Sequence, residues 1–167
     1  MKWLLTLCLI LSPFGILLQR IQAESPSPSD FGPLASLIGE WQGTDAEGKP
    51  MTVSYYWTGG GTSLVETMAM AEKPAMMTMY YADKGTLMLT HYCKLGNQPR
   101  MRAAMPEGDP KMLAFSFVDA ANLAKSTDAH MHTMSFTFRD QNHFAQEWVL
   151  SKDGMELPHR FEFSRVQ

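Results

Sequence analysis

Two histidines separated by one residue are the clearest candidates for chemistry in this sequence. His130 and His132 lie in residues 130–139, where apolar and polar residues alternate as in a β-strand. Alternate strand residues share a face about 6.6 Å apart, so both imidazoles can reach one metal ion. The spacing makes His130 and His132 candidate ligands of a divalent metal, with His159 as a third ligand. The alternative is that these are hydrogen-bonded core histidines, since the strand adds no carboxylate to that face.

A second candidate pair is His91 with Cys93, which share one face of a predicted strand over residues 86–94. Cys93 is the only cysteine beyond residue 23, so it has no intramolecular disulfide partner there. The two side chains could act as nucleophile and base, although no third group that would orient them is identifiable. Thirteen of the 14 methionines lie beyond Met1, with a cluster over residues 68–79. Thioethers near histidine and thiol can bind copper(I), but methionine also fills irregular cavities and adaptable ligand pockets.

The elements that must position these residues are short strands. Period-two alternation predicts ten of them, with almost no helix and with turn residues between them. The predicted ranges are 40–44, 51–57, 63–70, 76–82, 86–94, 100–105, 111–118, 130–139, 143–151 and 158–166. Connections this short join antiparallel neighbours. The sequence therefore predicts an all-β fold, an antiparallel up-and-down β-barrel of about 8–10 strands, with a β-sandwich as the rival.

A short helix is predicted before the first strand. Asp30 can cap it, an apolar face is formed by Leu34, Leu37 and Ile38, and Gly39 ends it.

Strand alternation predicts which side chains face the barrel interior. The more apolar face of residues 130–139 carries both histidines and Met134, and that of residues 158–166 carries His159, Phe161 and Arg165. In a simple meander, the end of the fifth strand and the starts of the eighth and tenth share one mouth. The predicted ligand-binding residues at this mouth are His91, Cys93, His130, His132, Met134, His159 and Phe161. The loop over residues 119–129 reaches the same mouth and is a candidate lid.

The amino terminus predicts export. Residues 1–23 have a charged start, an apolar run and a small residue, Ala23, at the end, which is typical of a secretory signal peptide. Residues 24–30 are polar and proline-rich, which predicts a flexible linker, and residues 31–167 form a single domain. No later stretch approaches the roughly 18 consecutive apolar residues of a membrane span. The expected location is therefore the periplasm or the extracellular space.

The charge of the chain argues against nucleic acid as a partner. The formal net charge is −3, and removal of Lys2 and Arg20 with the signal peptide takes it to −5. A negative domain lacks the basic surface that nucleic acids and anionic membranes require. A small apolar molecule or haem is the expected partner.

One motif resembles a known group of proteins. The pattern Leu34-x-x-Leu37-Ile38-Gly39-x-Trp41-x-Gly43 resembles the opening of calycin-type barrels, in which a short helix closes the base before a Gly-x-Trp strand. The resemblance to lipocalins implies that Arg165, on a late strand, packs across Trp41 as a structural pair. The opening also resembles that of nitrobindin-like ten-stranded haem barrels, which implies His159 as the iron ligand. The glycine-rich continuation of nitrobindins is replaced here by residues 44–50.

Three functions follow from these observations. The leading interpretation is an exported carrier that holds an apolar or haem-like molecule inside the barrel, with a histidine-rich mouth. The first alternative is an enzyme that uses the histidine cluster, with or without a metal, on a ligand in the same cavity. The second alternative is a structural or interaction domain whose interior is filled. Haem and a divalent metal both stay open as cofactors, as do the ligand, the oligomeric state and the reactivity of Cys93.

Overall fold

The protein is a closed antiparallel β-barrel of ten strands, as the sequence predicts. A computed structural model describes residues 27–45, 47–70 and 73–167, and the predicted signal peptide and the start of the predicted linker lie outside them. The strands are β1 (Gly39–Thr44), β2 (Pro50–Thr58), β3 (Ser63–Met70), β4 (Lys73–Asp83), β5 (Thr86–Tyr92), β6 (Gln98–Ala104), β7 (Met112–Ala121), β8 (His130–Asp140), β9 (His143–Lys152) and β10 (Met155–Arg165). Each strand pairs with its neighbour in the chain, and β1 pairs with β10 to close the barrel. The predicted up-and-down topology is therefore confirmed.

A short 3-10 helix, Pro28–Leu37, precedes β1. It begins within the segment predicted as linker, and it bends at Gly32, whose φ is 53°. The helix contributes three buried side chains to the barrel core, namely Phe31, Leu34 and Leu37. Tight 3-10 turns on either side of the bend bring these three side chains to the barrel. The helix closes this end of the barrel, which we call the base.

Trp41 and Arg165 hold the base together. The indole of Trp41 is buried, packs edge-on against Phe144 with ring centroids 4.7 Å apart, and donates its Nε1 proton to the Leu37 carbonyl at 2.6 Å. The guanidinium carbon of Arg165 lies 4.1 Å from the centroid of the Trp41 ring. Its terminal nitrogens donate to the carbonyls of Ser36 at 2.7 Å and Ile38 at 2.9 Å. Arg165 thus satisfies carbonyls at the end of the helix and covers the tryptophan in one conformation.

The glycines around Trp41 are explained by close approach of the last strand. A Cβ at Gly43 would collide with the Glu162 carbonyl oxygen of β10, its neighbour in the sheet. Gly39 has a φ of 118°, which side chains rarely adopt, and it lies beside the Arg165 guanidinium. The second glycine of the Gly-x-Trp-x-Gly pattern is therefore explained by the close approach of β10, and the first by its positive φ beside Arg165.

The core fills the barrel from the base upward. Its buried residues include Trp41, Val53, Leu64, Leu87, Leu89, Met101, Phe115, Phe136, Phe144 and Phe163. They alternate along the strands with outward residues, which accounts for the period-two pattern. None of the helices that the structure describes has the length and apolar character needed to cross a membrane.

Candidate ligand-binding site

A cavity of about 350 Å³ opens at the end of the barrel opposite the 3-10 helix. We call this end the mouth. Apolar side chains and sulfur atoms make up most of its wall, namely Met68, Met70, Met76, Met131, Leu95, Leu150, Trp148 and Phe161. The cavity is also lined by four charged residues, Asp45, Glu47, Lys94 and Arg160. The remaining lining residues are His91, Cys93 and His159. The composition is that of a small-molecule site, apolar with few polar groups.

Four of the predicted site residues meet in this cavity. His91 and Cys93 reach it from the end of β5, and His159 and Phe161 reach it from the start of β10. Strand direction brought these two segments to one mouth, as the meander argument predicts. His91 and Cys93 are buried, whereas His159 is exposed at the rim.

His91 is the polar group placed deepest in the cavity wall. It is 2% exposed, its ring lies 4.5 Å from that of Trp148, and its Nδ1 is 2.9 Å from the Thr78 hydroxyl. Burial lowers the pKa of His91 to about 4, so the imidazole is neutral at neutral pH. Its Nε2 is buried and has no hydrogen-bond partner among the residues that the structure describes. Such an orphaned group costs about 1–3 kcal/mol, which a partner on a bound molecule would recover.

Cys93 is not an activated nucleophile. Burial raises the pKa of its thiol, which keeps the sulfur protonated. His91 cannot serve as its base in this geometry, because Nδ1 is engaged by Thr78 and Nε2 has no partner. The predicted nucleophile-base pair is therefore not formed, although both residues line the cavity.

His130 and His132 do not line the cavity, contrary to the predicted single site. β8 carries a bulge between Met131 and Thr133, where His132 is the extra residue against β9. One extra residue exchanges the inward and outward faces for the strand residues that precede it. Met131 consequently faces the cavity, while Met134, beyond the bulge, is buried in the core below it.

The two histidines form a separate pair beside the mouth. His130 Nε2 lies 3.3 Å from His132 Nδ1, and both rings pack on Phe117 with centroids 4.8 and 5.0 Å from it. His130 Nδ1 is 2.7 Å from the Asp128 carbonyl, so Nδ1 must be the donor because a carbonyl only accepts. His130 Nε2 then accepts from His132 Nδ1 in the neutral pair. Both ring nitrogens of His130 are therefore engaged, and the pair is part-buried beside the mouth.

The loop after β7 is fixed beside the mouth. β7 extends to Ala121, so the loop is shorter than the predicted lid over residues 119–129. Asn97 donates its side-chain amide to the Ala129 carbonyl at 2.8 Å, and the backbone amide of Asp153 donates to the Thr127 carbonyl at 3.1 Å. These bonds tie the loop to the β5–β6 and β9–β10 connections. No residue of the loop is among the described residues that line the cavity.

The predicted metal set of His130, His132 and His159 is not assembled. Within residues 27–45, 47–70 and 73–167, no three His, Cys, Asp or Glu side chains converge to hold a metal ion. The bulge is the physical reason, because it separates the His130–His132 pair from the wall that carries His159.

A buried carboxylate below the cavity was not predicted from the sequence. Glu66 on β3 is 1% exposed, and its Oε2 accepts hydrogen bonds from the hydroxyls of Tyr55 and Tyr80 and from Gln146 Nε2, each at 2.8 Å. Gln146 Nε2 also donates to the Tyr55 hydroxyl oxygen at 2.7 Å. Trp148 Nε1 donates to Gln146 Oε1 at 3.2 Å, which joins the cluster to the cavity wall.

Burial dominates the titration of this cluster. Desolvation raises the pKa of Glu66, although its three hydrogen bonds act in the opposite direction. The pKa values of Tyr55 and Tyr80 are raised well above 10, first by burial and then by the charge of Glu66. Both tyrosines therefore remain hydroxyl donors to the carboxyl group.

A sequence signal for this cluster was available. Glu66 lies between Leu64 and Met68 on the inward face of β3, an acidic residue in an otherwise apolar row. A lone inward carboxylate requires hydrogen-bond donors, and the inward Tyr55 and Tyr80 supply them. The sequence pattern alone predicts these tyrosines only as alternating strand aromatics.

Comparisons with known proteins identify no family for this chain. No protein-family model matches it, and no curated protein matches it. It is similar in structure to the crystal structure of a protein of unknown function from the DUF3598 family of Nostoc punctiforme, with a TM-score of 0.43 and 11% sequence identity. The match covers 78% of this chain and 48% of the other, so the chain spans about half the length of that structure.

Proposed function

We propose that this protein is an exported, calycin-like carrier that binds an apolar small molecule in the mouth cavity. The observation that carries the proposal is the buried, unpartnered Nε2 of His91 in a wall of methionine and aromatic side chains. The apolar wall favours an apolar body, and His91 favours one polar group on it. A polar group on the bound molecule would remove the cost of leaving Nε2 without a partner.

The size of the cavity limits the ligand. At about 350 Å³ it lies near the lower end of ligand pockets, which run from about 300 to 1,000 Å³. A porphyrin macrocycle is larger than this space, so the residues present do not fit an enclosed haem. The donor chemistry of His91 and His159 suits haem iron, but the cavity volume favours a smaller molecule.

An enzymatic role is less well supported by the same geometry. Cys93 keeps its proton and has no base, and His130 and His132 lie outside the cavity. His91 is neutral and packed against Trp148, which suits a hydrogen-bonding anchor better than a proton shuttle.

The proposed function is tested by native mass spectrometry and absorption spectroscopy of protein purified from the exported fraction of its own cells. We expect a chain that starts at Glu24 and carries one small apolar molecule. A chain that retains Met1 would contradict export. A haem absorption band would contradict the smaller ligand.

A cavity-filling variant tests the location of the site. Met131→Trp places an indole in the cavity, whereas Met112→Trp places one on the outer surface, where Met112 is 64% exposed. With the probe 1-anilinonaphthalene-8-sulfonate, we expect wild type and Met112→Trp to bind equally. Met131→Trp should bind at least about tenfold more weakly, by loss of apolar contact. Equal binding by all three proteins, or none by wild type, would refute the proposed site.

A further inference from the structure

We propose that the mouth cavity also forms a binding site for a soft monovalent metal ion of the copper(I) class, with His91, Cys93, Met68 and Met76 as its ligands. The proposal concerns a different class of occupant from the organic ligand proposed above. It shares the His91 Nε2 atom with that proposal and adds the sulfur atoms of the wall, and it can fail while the carrier function stands.

Three sulfur-bearing residues lie in a row across neighbouring strands. Met68 on β3 is paired directly with Met76 on β4. Met77 is paired with Tyr92 at the end of β5. Met76 and Cys93 each lie one position nearer the mouth than this pair, so they lie beside each other. Directly opposed antiparallel residues have Cα atoms about 4.5–5.5 Å apart. All three side chains line the cavity, which places two thioethers and one thiol on one side of it.

His91 supplies a nitrogen donor one layer below this row. It lies two residues before Cys93, near the end of β5, and it also lines the cavity. Its Nδ1 is 2.9 Å from the Thr78 hydroxyl, and donation to that oxygen leaves the lone pair on Nε2. A hydrogen bond of this kind from the distal nitrogen is the usual support of a metal-bound imidazole. Nε2 has no partner among the described residues, which is the observation besides the cysteine and methionines that points to a ligand here.

The ligand atoms and their total charge favour a soft, monovalent metal ion. Thioether and thiolate sulfur with one imidazole prefers soft ions such as copper(I). Binding displaces the Cys93 proton to water, and the resulting thiolate neutralises a single positive charge. A divalent ion would leave one positive charge uncompensated in an apolar, desolvated cavity, which is unfavourable. The metal enters and stays as copper(I), so the step involves no oxidation or reduction.

The experiment is an anaerobic titration with copper(I) against the chromophoric chelator bicinchoninate. Wild type should take one equivalent from the chelator. Cys93→Ser should weaken binding about a hundredfold, and Met68→Leu and Met76→Leu at least about tenfold each. Leucine conserves volume at these positions, so the variants should fold, which circular dichroism will check. Met112→Leu on the outer surface is the matched control and should bind as wild type does.

X-ray absorption of the copper(I) complex should show a shell dominated by sulfur with one nitrogen. The proposal is overturned if wild type leaves copper with the chelator, if the sulfur variants bind like wild type, or if zinc(II) binds more tightly than copper(I). Binding of 1-anilinonaphthalene-8-sulfonate separates the two hypotheses. If the dye binds and copper(I) does not, only the metal site is wrong, whereas failure of both refutes the ligand cavity itself.

Discussion

Replacement of Glu66 by glutamine should make the stability of the protein less sensitive to a rise in pH above 4.5. Burial raises the pKa of the Glu66 carboxyl in the folded chain. In the unfolded chain the carboxyl ionises near its ordinary pKa of 4.5. Between these two pKa values the folded protein holds one proton more than the unfolded chain, so a rise in pH favours unfolding. Glutamine holds no titrating proton at this position.

The magnitude follows from this linkage and from the hydrogen bonds. The free energy of unfolding of Glu66→Gln, relative to wild type, should increase with pH by at most about 1.4 kcal/mol per pH unit. Glutamine keeps one carbonyl oxygen as an acceptor for Tyr55 and Tyr80, so at acidic pH the two proteins should differ by only about 1 kcal/mol. The pH window begins at 4.5 and ends at the raised pKa of the folded protein.

The assay is urea denaturation of both proteins at pH 5, 6, 7 and 8, followed by tryptophan fluorescence. Glu156→Gln, at an exposed position on β10, is the matched control and should show no change in slope relative to wild type. A difference between Glu66→Gln and wild type that stays flat, or that falls with rising pH, would refute the assignment of a buried carboxyl with a raised pKa.

Two further predictions concern the base of the barrel and the cavity wall. Trp41→Ala should lower the free energy of unfolding by about 3–5 kcal/mol, because it removes a buried indole. The measurement is urea denaturation, and a loss below about 1 kcal/mol would contradict the role of Trp41 in the core. His91 binds a proton below pH 6.5 when unfolded and only below about 4 when folded, so as pH falls between these values wild type should lose about 3 kcal/mol of stability relative to His91→Phe. His91→Phe should not show this acid loss, and parallel pH profiles of the two proteins would count against the buried neutral imidazole.

Much of the barrel could be predicted because the information is local. Alternation marks each strand, short turns between strands make neighbours antiparallel, and ten antiparallel strands closed in order fix which strand ends share a mouth. This is why His91 and His159, 68 positions apart in the sequence, were correctly predicted to lie at the same end. The contact between Trp41 and Arg165 was predicted by resemblance, and barrel closure explains it physically.

The bulge in β8 could not be predicted, because it leaves the alternation of residue types almost unchanged. Either face of this part of the strand could point inward, the one with His130 and His132 or the one with Met131, since imidazole is intermediate in its preference for burial. The bulge becomes favourable only when Met131 meets the cavity wall and the Asp128 carbonyl meets His130, and both contacts are tertiary. A strand of clear polar and apolar alternation would have resisted the inversion.

The polar residues inside the barrel form one connected path rather than separate features. Trp148 packs on His91 in the cavity wall and donates to Gln146, and Gln146 donates to Glu66 at the centre of the core. Among the described residues, the one buried side-chain nitrogen or oxygen of this path without a partner is His91 Nε2, and His91 lines the cavity. Buried polar groups cost stability unless they are satisfied, and the unpartnered nitrogen at the cavity end of this path is the reason that we propose a bound molecule there. Below Trp148 the interior is filled by side chains, which is why the proposed binding site is placed at the mouth.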